Sequence, residues 1–155
     1  MESRPQFVQA SASFNAVYGD GSLNHVAEAI GGKVKANINS GVFENACAIR
    51  MSYVLNNTGI PVVAGGASTV SGADGRRYIY RVKDLAPFIE TRLGKPDTDA
   101  RKPSPKLLQG RKGILLFDVA GWSNASGHAT LWDGSKCSDK CYFDQAQRVL
   151  FWELK

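Results

Sequence analysis

Two short stretches hold residue types that can do nucleophilic chemistry. Cys47 lies in Gly41-Val42-Phe43-Glu44-Asn45-Ala46-Cys47-Ala48-Ile49-Arg50-Met51-Ser52-Tyr53, where a helical pattern begins. His128 heads Gly127-His128-Ala129-Thr130-Leu131-Trp132, which reads as a strand. The chain has only 3 cysteines and 2 histidines, so few other pairings exist. A thiol attacks only as the thiolate, and free N–H groups at a helix N-terminus or a neighbouring imidazolium lower its pKa. Asn45 as N-cap would put Cys47 at the second helical position, with its own N–H placed to stabilise an oxyanion. The bland alternative is a small core cysteine, because Met51 and Leu55 share its face. His128 has its own alternative, a histidine satisfied by backbone. His25, among Asn24 and Glu28, reads as a solvated helix position, so His128 is the better general base.

A third group must orient His128, and Asp118, Asp133, Asp139 and Asp144 are the candidates. Asp133 is five residues along the strand and points to the opposite face. With a two-residue turn at Gly134-Ser135, Asp139 falls opposite Thr130 and shares the face of His128. Cys137 and Cys141 bracket it. They read as buried thiols, as a short disulfide that leaves Cys47 free, or, with His128, as three ligands of a metal that lacks a fourth. A straight strand would hold their Cα atoms about 13 Å apart, so a disulfide requires the segment to coil. Coil is the preferred reading.

These groups need elements to hold them. Ser22 caps a helix carrying Leu23, Val26, Ala27 and Ile30, which Gly31-Gly32 stops. No element is assigned before it, and Lys33 to Asn39 is ambiguous. A helix runs from about Asn45 to Asn57, with Gly59-Ile60-Pro61 as its stop. Tyr78 to Val82 alternates like a strand, and Asp84 caps a helix with Leu85, Phe88, Ile89 and Leu93, ended by Gly94. Lys95 to Lys112 reads as a long surface connection. Ile114 to Val119, His128 to Trp132 and Val149 to Leu154 are strands, with Gly121 to Gly127 a loop. Helices come first and short strands cluster late, so the expected class is α+β with an antiparallel sheet.

Composition bounds the rest. The 155 residues, 43% hydrophobic and 21% charged, suit one globular domain over residues 1–155. No apolar run approaches the ~20 residues that span a bilayer, and the first nine residues do not form a secretory signal, so membrane insertion is not expected. The net charge of +5 is scattered without interleaved aromatics. That argues against nucleic acid and for a mild attraction to carboxylate-rich polymers. No cofactor is expected.

Long, ordered motifs carry a family resemblance. Gly41-x-Phe43-x-Asn45-Ala46-Cys47-x-Ile49-Arg50-Met51-Ser52-Tyr53-Val54-Leu55-Asn56 resembles the fourth family of type VI secretion amidase effectors. So do Val70 to Asp74, Tyr78 to Val82, Gly121-Trp122-Ser123-Asn124-Ala125-x-Gly127-His128-x-Thr130-Leu131-Trp132, and Cys137-Ser138-Asp139-x-Cys141. The resemblance implies a papain-like, NlpC-type fold with the nucleophile on a helix N-terminus packed against an antiparallel sheet. It implies a Cys47–His128–Asp139 triad, a Cys137–Cys141 disulfide, and hydrolysis of the γ-D-glutamyl–meso-diaminopimelate bond in peptidoglycan stem peptides. It further implies delivery by the type VI machinery into a rival's periplasm, which accounts for a disulfide without a signal peptide, and a cognate immunity protein as partner. Asn45, Trp122 and Ser123 stand beside triad members and are candidate substrate-binding residues. A thiol acyltransferase on the same scaffold, or a non-catalytic binding module, are the alternative functions.

Overall fold

The last third of the chain builds the sheet that holds His128. The computed structural model describes residues 3–42, 45–63, 68–119 and 127–155. Strands β3 (Thr98–Arg101), β4 (Gly113–Asp118), β5 (Gly127–Trp132) and β6 (Arg148–Glu153) form an antiparallel sheet in the order β3-β6-β4-β5. A two-stranded ribbon, β1 (Thr69–Ser71) with β2 (Arg77–Ile79), stands apart from it. Among the described residues five α-helices accompany them: α1 (Phe7–Tyr18), α2 (Leu23–Ile30), α3 (Gly32–Asn39), α4 (Cys47–Asn57) and α5 (Val82–Leu93). The class is α+β with antiparallel sheets, as the order of elements in the sequence predicts.

Side-chain alternation gives the large sheet two buried faces. Ile114, Leu116, Ala129, Leu131 and Trp152 point to the core shared with α4 and α5. Leu115, Phe117, Trp132, Val149 and Phe151 point to a second core closed by Leu108 and Phe143. Register is therefore fixed from both sides, since a one-residue slip would exchange the two faces. The two indoles are also satisfied: Trp132 Nε1 donates to Leu108 O (2.8 Å) and Trp152 Nε1 to Gly94 O (2.8 Å).

Helix α4 lies at the centre and buries nine of its eleven residues, so its polar side chains must find partners inside. Ser52 Oγ accepts from Ile79 N (2.9 Å), and the Asn56 side chain donates to Arg77 O (2.9 Å) and accepts from Val62 N (2.8 Å). These bonds tie β2 and the chain after α4 to the helix that begins with Cys47. Arg50 donates to Gly21 O (3.0 Å) and stacks over Tyr18, which fixes the opposite flank.

Several expectations need correction. An unassigned stretch forms α1, whose Ala10, Phe14 and Val17 recur at helical spacing and are buried. Its apolar face is sparse, and packing against α4 supplies what local pattern does not. The ambiguous segment after Gly31 is α3. Helix α5 starts at Val82 rather than at Asp84. Asp84 sits in the first turn, where its carboxylate accepts from Arg81 Nε (2.9 Å) and complements the helix dipole. The β2 strand correspondingly ends at Ile79. The presumed surface connection from Lys95 to Lys112 contains β3 and a 3₁₀ turn, Pro105–Leu108, whose Leu108 is fully buried. Polar Thr98-Asp99-Ala100-Arg101 becomes a strand because β6 offers it an edge to pair with. Among the described residues no helix is long and apolar enough to cross a membrane.

Candidate active site

Cys47 is the first residue of α4, with Ala46 as the flanking non-helical residue. The sequence expectation placed it one position further in, with Asn45 as the cap. Asn45 does serve the helix end, by a different route: its Oδ1 accepts from the Cys47 backbone N–H (3.0 Å) and from Sγ (2.7 Å). This corrects a second expectation, because the Cys47 N–H foreseen as an oxyanion donor is taken by Asn45. The Cys47 side chain is buried, and Gly127 O lies 4.0 Å from Sγ. Cys47 is the chain's free cysteine.

His128 reaches the thiol from β5. Strand geometry sends Ala129 and Leu131 toward α4 and sends His128 and Thr130 to the other face. There His128 Nε2 meets Asp139 Oδ1 at 3.1 Å and Oδ2 at 3.0 Å. With Nε2 committed to Asp139, Nδ1 is the nitrogen left to serve Cys47, whose influence helps raise the imidazole pKa. The Tyr142 ring stands edge-on to the imidazole at 4.7 Å between centroids, and Phe117 lies at 6.3 Å.

Asp139 arrives through the turn that follows β5. Asp133 N donates to Lys136 O (3.0 Å), and Asp133 Oδ1 accepts from Ser135 N and Lys136 N (2.9 and 2.8 Å). Trp132 then bridges Cys137, a register that brings Asp139 back beside Thr130. The chain coils there, and Cys137 and Cys141 are disulfide-bonded with Cα atoms 5.5 Å apart. Their sulfurs are thus joined to each other. Asp133, the nearest rival acid, is consumed in capping its turn. His25 bonds the α1 carbonyl of Ala16 (2.9 Å).

The electrostatics follow from burial and partners. Burial by itself pulls the His128 pKa down. Hydrogen bonds to Asp139 and Cys47, with the charges of both, overcome it and lift the value from 6.5 to about 9. For Asp139 burial pushes upward, yet the net shift is downward. His128 favours its charged form, as do Thr130 Oγ1 at 2.6 Å and Lys140 N at 2.6 Å. The arrangement favours a protonated imidazole between a thiol and a carboxylate, all three largely out of water. Such a set can deliver a proton to a leaving group and hold a thiolate beside it.

Sequence reasoning singled out Cys47, His128, Asp139 and Asn45, and the fold brings these four together. Trp122 and Ser123 lie outside the described residues. Thr130 and Tyr142 were missed. The signal for Thr130 was available, since it shares the strand face of His128 two residues on.

Residues 43–152 match the family model described as type VI secretion system (T6SS), amidase effector protein 4, Tae4. The chain belongs to the Tae4 family. Solved structures agree over nearly its whole length. The effector Tae4 from Enterobacter cloacae is 44% identical, with a TM-score of 0.92 over 99% of this chain and 98% of that one. The Tae4–Tai4 effector–immunity complex from the same organism matches at 43% identity and a TM-score of 0.93, covering 99% and 100%. The effector Tae4 from Salmonella typhimurium, solved with the immunity protein Tai4 from Enterobacter cloacae, matches at 42% and 0.91, covering 98% and 100%. Among curated proteins no relative matches. Membership in a family of type VI secretion amidase effectors makes the chain a hydrolase, and the geometry above is the place to look for its chemistry.

Proposed function

We propose that this chain is a cysteine amidase, a D,L-endopeptidase that cuts the γ-D-glutamyl–meso-diaminopimelate bond of peptidoglycan stem peptides. The observation that carries the reading is the Cys47–His128–Asp139 line, with Nε2 of His128 held on Asp139 and Nδ1 left to the thiol. The helix-borne nucleophile and strand-borne histidine support a papain-like, NlpC-type arrangement built as one domain over the whole chain.

The proton that the site holds on His128 is the one given up by Sγ, and the resulting thiolate attacks the γ-carbonyl carbon of D-glutamate. The negative oxygen that forms needs a donor, and the Cys47 N–H is engaged. The Asn45 side-chain amide has its oxygen turned to Cys47, which leaves its NH₂ as that donor. The tetrahedral intermediate collapses by breaking the C–N bond, and the imidazolium gives its proton to the departing amine of diaminopimelate. A thioester remains on Cys47. Water, deprotonated by His128, attacks it and releases the γ-carboxylate together with the thiol. Asp139 holds the imidazole in the one orientation that serves both transfers.

The setting follows from the family. Matched relatives are solved with the immunity protein Tai4, and a cognate immunity protein is the partner proposed for this chain. Delivery by the type VI machinery into a rival's periplasm places the Cys137–Cys141 disulfide in an oxidising compartment, where it persists. The net charge of +5 suits a polymer bearing free carboxylates.

Digestion of purified Gram-negative sacculi, with products identified by mass, tests the bond. Fragments beginning at diaminopimelate, and glycan retaining L-alanyl-D-glutamate, are expected from the wild type and not from Cys47→Ala. Glycan stripped of whole stems, or loss of cross-links alone, would refute the assignment.

A further inference from the structure

The layer that closes over the His128 face of the large sheet carries most of the chain's excess charge. Residues 101–112 and 133–147 form it. Leu108, Cys137 and Phe143 pack on Leu115, Phe117 and Trp132, and Gly110 N donates to Gly134 O (2.9 Å) to join the two segments. Together the segments hold seven basic residues against three acids, four of the chain's net +5.

Much of that charge has no counterion. Arg111 pairs with Glu153 (2.9 Å), Lys112 stands over the Phe7 ring, and Arg101 adds its charge to that of Arg148 around Asp99. Lys102, Lys106, Lys136 and Lys140 remain, all exposed, and none forms an ion pair with a described residue. The acids of the layer do not offset them. Asp133 is turned into its own turn and Asp139 is buried against His128, which leaves Asp144.

The lysines begin at the rim of the active site. Lys140 directly follows Asp139, and its Nζ is 5.6 Å from the centre of the Tyr142 ring, which stands edge-on to the His128 imidazole. The disulfide fixes a second lysine relative to it. Cys137 and Cys141 have Cα atoms 5.5 Å apart, and each chain neighbour lies ~3.8 Å further, so the Cα atoms of Lys136 and Lys140 are within about 13 Å. Lys106 is held by the 3₁₀ turn, whose Leu108 O accepts from Trp132 Nε1 (2.8 Å), and Lys102 by its N–H on Gln147 O (3.2 Å).

We infer that this lysine-bearing layer is a docking surface for intact peptidoglycan, holding the carboxylates of stems next to the one being cut. The inference rests on the peptidoglycan substrate proposed above. A stem linked through the γ-carboxyl of D-glutamate keeps its α-carboxylate free, and the residues beyond it add more carboxylates. Exposed ammonium groups suit such a target. Each is a point charge on a flexible stem, with no fixed fork to align, and so can follow a mobile polymer. The catalytic groups engage one stem, and the layer engages its neighbours. Polymer is therefore held more tightly than an isolated stem, and the difference is electrostatic.

The test is co-sedimentation of the Cys47→Ala protein, which leaves the polymer uncut, with purified sacculi. Adding Lys102→Gln, Lys106→Gln and Lys136→Gln together should weaken binding about tenfold at low ionic strength, at roughly twofold for each exposed charge contact. Raising NaCl from ~0.05 M to ~0.5 M should erase the difference, because charges are then screened within ~4 Å. Lys33→Gln, Lys83→Gln and Lys95→Gln change the net charge equally, on α3, in the first turn of α5 and after α5, and should leave binding unchanged. With Cys47 intact, the first triple variant should keep its kcat/KM on a soluble stem and lose about tenfold on sacculi. Equal weakening by the two triple variants would show net charge acting alone and overturn the inference. Sacculus binding that neither salt nor the first triple variant moves would overturn it as well. So would weaker binding of that variant to phosphatidylglycerol vesicles with sacculus binding unchanged, which would assign the layer to a membrane surface. Cleavage of the soluble stem at some other bond would refute the bond assignment alone, since docking is read on the inactive protein.

Discussion

Replacing Asp139 by asparagine keeps the side chain's shape and removes its charge. In the native site the imidazole of His128 is lifted from 6.5 to about 9, which is worth roughly 3 kcal/mol. Burial opposes that lift, so Asp139 and Cys47 together contribute more than the net figure. Asp139 acts through a hydrogen bond of 3.1 Å and through its charge. A buried charge-assisted bond of this kind contributes roughly 1.5–3 kcal/mol, so Asp139→Asn should lower the imidazole pKa by about 1–2 pH units. The assay is the pH profile of kcat/KM on a soluble diaminopimelate stem. Its alkaline limb reports loss of the proton that His128 must give to the leaving amine. In the wild type that limb should lie near pH 9, and in the variant about 1–2 pH units lower. Activity at neutral pH should fall by about 10–100-fold. An alkaline limb that stays in place in Asp139→Asn would refute the pairing, whatever happened to the rate.

Thr130 is fully buried and donates to Asp139 at 2.6 Å, so Thr130→Val should cost about 2 kcal/mol in urea unfolding and lower activity severalfold. Unchanged stability and rate would show that Asp139 is held by its other partners. Removing the disulfide with Cys137→Ser and Cys141→Ser should cost about 2 kcal/mol for so short a loop and lower the rate by loosening Asp139, and an unfolding midpoint equal to that of the oxidised wild type would contradict this. Stability should also follow pH in a defined way. The raised His128 value makes its contribution full below the unfolded 6.5, declining above it and gone as pH passes about 9. The lowered Asp139 value makes its contribution present above ~3.9 and lost as pH falls further. The pair therefore contributes most between about pH 4 and 6.5, and urea midpoints for wild type and His128→Ala should differ most in that window.

The sequence by itself determined the parts whose signals are local. Ser22 caps α2, its Oγ accepting from His25 N at 3.1 Å, because a hydroxyl ahead of an apolar period is a complete instruction for a helix start. The apolar runs of β4, β5 and β6, and the cysteine and histidine at the heads of their elements, were legible for the same reason. Register, partner choice and compensation belong to the tertiary structure. Four acids were open as partners of His128, and a turn at Gly134-Ser135 followed by coil gave Asp139 the place beside Thr130. Polar residues Thr98–Arg101 carry no strand pattern and became β3 only because β6 presented an edge. Helix α1 needed α4 to bury its thin apolar face. The approach of Cys47 to Gly127, and of α4 to the sheet that carries His128, involves groups brought together by long-range pairing. A local period says which side of an element is apolar. Which charges will face each other across the finished sheet depends on contacts that exist only after the chain has closed on itself.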